Sequence, residues 1–187
     1  MSLTGVWEGH YFQNWVTGEF VEMDELSEWA SPIRTVICDL GGKIEGSMID
    51  LITFSEIDGL ECYSQLERNM SWLEKKEWRE WLDQNPGAIM RIELPTDSTI
   101  DGDIDGRQIS FTKVYDGSQV TTWITSEQES SVKVPTSPVF YLGDISENNT
   151  LITGTFKVVD PSGRAPTSKG RFRLRKKSEV LQLKPEG

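Results

Sequence analysis

Val139-Phe140-Tyr141-Leu142-Gly143-Asp144-Ile145, Leu151-Ile152-Thr153-Gly154-Thr155-Phe156-Lys157-Val158-Val159 and Gly170-Arg171-Phe172-Arg173-Leu174-Arg175 decide the fold class. In the second run Ile152, Gly154, Phe156 and Val158 share one face, and Thr153, Thr155 and Lys157 share the other. A period of two is the mark of a strand with one buried face. Glu147-Asn148-Asn149 supplies turn residues between the first two runs. The third run alternates Phe172 and Leu174 against Arg171, Arg173 and Arg175. The chain therefore closes as an antiparallel β-meander.

The same pattern extends upstream. In residues 3–15, Leu3, Gly5, Trp7, Gly9 and Tyr11 fall on one face and Val6, Glu8, His10 and Phe12 on the other. Residues 33–40 and 44–54 read as a hairpin around Gly41-Gly42-Lys43, a turn suited to positive φ. Residues 99–104 and 108–115 read as another around Asp105-Gly106. Residues 88–94 and 119–125 are further strands, and residues 127–133 read as a polar loop. Residues 60–66 fit either a strand or a helix. Ser71-Trp72-Leu73-Glu74 has the form of a capping box, and Asn85-Pro86-Gly87 is a stop signal, so a helix is expected between them. Trp78, Trp81 and Leu82 share one side of it, and such a helix could cap a barrel mouth. Ile-x-Gly steps at Gly46, Gly102, Gly106 and Gly154 mark places where curved strands bend. The expected architecture is all-β and mainly antiparallel. It is a single up-and-down meander barrel of about eight to ten strands with one inserted α-helix. It occupies residues 1–177, with the helical insertion near 71–84 and a polar tail over 178–187.

The 187 residues suffice for one hydrophobic core. The formal net charge of −11 argues against nucleic acid, which requires a basic footprint, and against an anionic membrane surface. No apolar run approaches the length of a membrane span. Cys38 and Cys62 form neither a CxxC motif nor a disulfide framework. The first residues carry no basic n-region or apolar h-region, so a cytoplasmic protein with free thiols is expected.

Gly5-Val6-Trp7 resembles the Gly-x-Trp signature of the calycin barrels, the group that includes lipocalins, fatty-acid-binding proteins and avidins. The resemblance implies a barrel with a concave interior. It also implies a basic residue near the end of the last strand that packs across Trp7 and closes the barrel: Arg173, with Arg171 or Arg175 as substitutes. The sequence departs from that group in placing its best helix mid-chain, and the biotin-contacting set of avidins does not map onto it. No ligand is carried over.

Several residues invite a functional reading. Asp101-Gly102-Asp103-Ile104-Asp105-Gly106 matches the first half of an EF-hand loop, but Thr112 stands where the bidentate Glu is required, so a hairpin with outward carboxylates is expected. His10 is the sole histidine and faces away from Trp7, which removes a His-rich metal site. Asp50 shares a face with Ile44, Met48, Ile52 and Phe54, which would turn a carboxylate inward, while Ile49 and Leu51 make the other face apolar too; a solvated place near the rim is the competing reading, because lone carboxylates are seldom buried. Arg171, Arg173, Arg175 and Lys177 form a basic stripe that can pair with Glu8. The candidate ligand-binding residues are Trp7, Tyr11, Asp50, Trp123, Tyr141 and Phe156, with Phe172 beside them. No catalytic residue, metal ligand or cofactor is assigned. The expected function is non-enzymatic binding of a small apolar or aromatic molecule in the barrel. The alternative is an inhibitor- or immunity-type protein that meets a partner through Trp72, Trp78, Trp81 or the acidic segment 19–28. A barrel enzyme using an inward carboxylate ranks third.

Overall fold

Alternating burial carries directly into the computed structural model, in which residues 2–13, 23–26, 29–158 and 168–178 are described. Eight strands close a barrel: β1 (Gly5–Phe12), β2 (Ala30–Asp39), β3 (Lys43–Asp50), β6 (Ser98–Asp105), β7 (Gln108–Tyr115), β10 (Val139–Ile145), β11 (Leu151–Val158) and β12 (Ser168–Ser178). Each pairs antiparallel with its neighbours, and β12 returns to β1. The spatial order is the chain order once the intervening segments are set aside, so this is an up-and-down barrel with no free edge. In β10, Val139, Tyr141, Gly143 and Ile145 are buried while Phe140, Leu142 and Asp144 are exposed.

Two insertions interrupt the meander. Between β3 and β6 come β4 (Phe54–Asp58), α1 (Gly59–Leu66), a 3-10 turn (Glu67–Asn69), α2 (Trp72–Gln84) and β5 (Ile89–Glu93); between β7 and β10 come β8 (Ser118–Ile124) and β9 (Glu129–Pro135). Their strands form one separate sheet in the order β4-β5-β8-β9. This corrects the expectation of a single inserted helix. Residues 60–66 are helical because Asp58 caps them, accepting from the backbone N–H of Leu60 and Glu61. Of residues 127–133, expected as a polar loop, 129–133 belong to β9 and pair with β8 as a strand. The expected strand over 44–54 ends at Asp50, and Phe54 opens β4 in the second sheet.

Helix α2 starts at the capping box read from sequence. The Glu74 N–H donates to Ser71 Oγ at 3.3 Å and the Ser71 N–H to Glu74 Oε2 at 2.7 Å. The helix packs through Trp78 and Trp81 onto Trp123 of β8, with ring centroids 5.4 and 5.2 Å apart.

The barrel core is dense below the mouth, where Trp7, Ile33, Ile37, Ile44, Met48, Ile109, Phe172 and Leu174 are fully buried. Backbones approach closely at inward glycines, Gly9 and Gly154 among them. A Cβ on Gly9 would lie 1.7 Å from the Arg173 carbonyl oxygen, and one on Gly154 would lie 2.1 Å from that of Leu142. Only glycine permits strands to meet at those spacings. The floor is closed by residues 2–4: the Leu3 N–H donates to Asp39 Oδ2 at 3.1 Å, and Trp7 Nε1 donates to the Leu3 carbonyl at 2.9 Å. Leu3's N–H, above all, holds the Asp39 carboxyl below its usual pKa.

Candidate functional site at the barrel mouth

Strand alternation fixes which side chains meet at the other end of the barrel. Inward positions on β3 run Ile44, Gly46, Met48, Asp50, and on β7 Ile109, Phe111, Lys113, Tyr115. Strand β6 lies between them and presents Ser98 at the same level, opposite Tyr115. The last inward residues of β3 and β7 are therefore polar, and they converge. Lys113 Nζ lies 2.6 Å from Asp50 Oδ2 and donates to it. The Tyr115 hydroxyl donates to the same oxygen at 2.9 Å and accepts from Lys113 Nζ at 3.0 Å. Lys113 Nζ also stands 4.1 Å from the centroid of the Tyr115 ring. The Asp50 and Lys113 side chains are 0% and 1% exposed. A charge in such a place survives only when paired. Asp50 Oδ1 has no hydrogen-bond partner among the described residues.

Burial shapes the titration of the groups around this pair. Desolvation lowers the Lys113 pKa, and the neighbouring Asp50 charge opposes that fall. Tyr11, Tyr115 and Tyr141 are all pushed well above the ordinary phenol value, first by burial and then by the Asp50 charge. The Ser31 side chain hydrogen-bonds to Tyr11. The mouth thus holds neutral phenols around one internal ion pair.

Above the pair lies a cavity of about 260 Å³ between the barrel and the second sheet. Tyr11, Tyr115, Tyr141 and Phe156 line it from the barrel, and Ile92, Leu94, Gln119 and Val134 from the inserted segments. The aromatic walls brace one another: Tyr11 meets Phe156 edge-on at 5.6 Å, and Tyr141 stacks on Phe111 at 4.6 Å with planes 8° apart.

Of the residues singled out from sequence, Tyr11, Tyr141 and Phe156 line this cavity, and Asp50 is buried with Lys113 and Tyr115 at the same end. The solvated reading of Asp50 gives way to a buried one, because Lys113 supplies the counter-charge. Trp7 lies at the floor, wholly buried and away from the cavity. Trp123 is not a barrel residue; β8 belongs to the second sheet, where Trp123 receives α2. Arg173 does not close the barrel over Trp7. It lies on the outer face of β12 and pairs with Glu25 at 3.3 Å. The cation over the Trp7 ring is Lys176 Nζ, at 5.9 Å, and Lys176 has the inward parity of Phe172 and Leu174. His10 lies in an outer-face groove with Glu8 and Arg34. Asp101, Asp103 and Asp105 are exposed on β6. Cys38 is exposed and Cys62 is buried, and they are not bonded to each other. Of the acidic segment 19–28, only Met23, Asp24, Glu25 and Leu26 are described; the rest lies outside the described residues. Lys113 and Tyr115 are the site residues that the sequence reading missed. The available signal was a lysine in phase with Ile109 and Phe111.

The chain matches no protein-family model, no curated protein and no solved structure. No helix among the described residues is long and apolar enough to cross a membrane.

Proposed function

We propose that the protein is a non-enzymatic binding protein that takes a small apolar or aromatic molecule in the cavity at the barrel mouth. One observation carries this reading: an up-and-down barrel that is packed at one end keeps a cavity of about 260 Å³ at the other, walled by four aromatic rings. That volume lies just below the roughly 300–1,000 Å³ of drug-sized ligand sites, so the guest is small. The Tyr115 hydroxyl is consumed by Asp50 and Lys113, and Tyr11 is bonded to Ser31, so the walls offer ring surface more than free hydroxyls. Gln13, Gln119 and Ser137 at the rim supply the few polar contacts that orient a ligand. The calycin-type resemblance belongs to the same proposal, since an eight-stranded barrel has room for one small guest.

The enzyme reading needs a second polar group beside Asp50, and Lys113 and Tyr115 meet that condition. It ranks lower because neither charged side chain lines the cavity. The ion pair acts here as the fixed base on which Tyr115 stands.

The test is a fluorescence titration with N-phenyl-1-naphthylamine, an apolar aromatic probe. Saturable enhancement is expected in the wild type and its loss in Val134→Trp, which fills the cavity from an exposed position on β9. Equal enhancement in both proteins would remove the cavity from the account.

A further inference from the structure

A second concave surface lies on the inserted sheet, away from the barrel. It measures about 430 Å³ and is lined by Glu77, Trp78 and Trp81 of α2, Trp123 of β8, and Thr125, Gln128 and Ser130. Trp123 stands nearly perpendicular to both helix indoles, at 81° to Trp78 and 70° to Trp81. Trp78 and Trp81 remain partly exposed, although helix packing alone could have buried them. Glu77 is the only ionisable residue in the lining. The protein's own cations serve other rings: Lys76 Nζ stands 5.9 Å from Trp72, and the Arg79 guanidinium 5.4 Å from Tyr63. Among the described residues, none stands over Trp78, Trp81 or Trp123.

We propose that this indole corner, with Glu77 at its rim, binds a methylated ammonium group. The negative faces of indoles attract a cation, and non-parallel rings offer it more than one aromatic surface. Methylation matters because a quaternary ammonium sheds water easily and presents apolar methyls, whereas a bare ammonium keeps its hydration shell. The Glu77 carboxylate adds attraction of the right sign, and the formal charge of −11 concentrates cations around the whole molecule. A flat sugar face stacks along a single ring plane, whereas rings set at 70–81° turn their aromatic surfaces in different directions. This site is separate from the barrel mouth, and neither proposal rests on the other.

The experiment follows the indole Nε1–H signals of the full-length protein by ¹H–¹⁵N NMR. The titrants are choline, tetramethylammonium and 3,3-dimethylbutan-1-ol, the uncharged isostere of choline. Both cations are expected to shift three indole signals saturably, leaving the buried Trp7 signal in place. The isostere is expected to bind about tenfold more weakly, and Glu77→Gln to weaken choline about three- to tenfold. Glu77 is exposed, so this variant keeps the fold. Trp81→Leu is expected to abolish the shifts, and Val134→Trp to leave them unchanged. Equal binding of the isostere would reduce the corner to a plain apolar surface and overturn the proposal. So would the absence of saturable shifts with either cation, or a preference for a neutral methyl glycoside.

Discussion

Replacing Asp50 with Asn tests the internal ion pair most severely. The substitution preserves size and leaves an acceptor for the Tyr115 hydroxyl, but it strands Lys113 without a counter-charge. At the observed N···O distance of 2.6 Å, the gross attraction is roughly 6 kcal/mol at an effective dielectric of about 20. Most of that is offset by the desolvation of two side chains that are 0% and 1% exposed. What a single substitution exposes is the uncompensated partner, at a cost of about 3–5 kcal/mol. Lys113→Met should cost a similar amount by stranding Asp50. The double variant Asp50→Asn, Lys113→Met should return close to wild type, because a buried pair replaced as a unit is often neutral. Urea unfolding with linear extrapolation gives all three values. The sign with pH is also fixed. The folded Lys113 pKa is lowered, so the unfolded chain binds more protons between that value and the ordinary lysine value, and the penalty shrinks as pH rises through the window. Asp50→Asn removes the opposing attraction, so its stability should climb more steeply on the alkaline side. A single-variant cost under about 1 kcal/mol, or single costs that simply add in the double variant, would refute the buried pair.

Three further outcomes are expected. Tyr11, Tyr115 and Tyr141 have folded pKa values raised above their unfolded ones, so their stabilising contribution is complete below about pH 10 and falls above it. With these phenols, stability should drop by about 4 kcal/mol per pH unit there, and tyrosinate absorbance should appear together with loss of ellipticity; earlier ionisation in the folded state would contradict this. Gly154→Ala places a Cβ 2.1 Å from a backbone oxygen and 2.5 Å from Gly143 Cα. It should cost about 1–3 kcal/mol or more in thermal unfolding, and a neutral result would mean the strands can separate there. Ser71→Ala removes the N-cap of α2 and should cost about 1 kcal/mol, read as faster amide exchange at Glu74 with the barrel amides unchanged.

The barrel strands were legible because each carries its own alternation and its own turn. Gly41-Gly42 at φ 80° and 103° and Gly106 at φ 61° are the turns that the sequence announced. The second sheet was not legible in the same way. Alternation tells which side of a strand is apolar, but not which strand it pairs with, and β5 meets β8 only through two separate insertions. Trp123 has the same local pattern as a barrel residue, so its misplacement follows from that ambiguity. The resemblance points to Arg173, although its own parity puts it outside; Lys176, in phase with Leu174, is the residue that reaches Trp7. Asp50 raised the question of a buried carboxylate. Its answer lay in Lys113, two barrel strands away, where lysine is expected to face solvent and the apolar phase of Ile109 and Phe111 says otherwise.

Native mass spectrometry of the protein as purified from cells, compared with its denatured mass, tests the central claim directly. The account predicts a retained mass that disappears on denaturation, belongs to a small apolar or aromatic compound, and is missing from Val134→Trp. A bare mass in the wild type, or an adduct that Val134→Trp still carries, would contradict it.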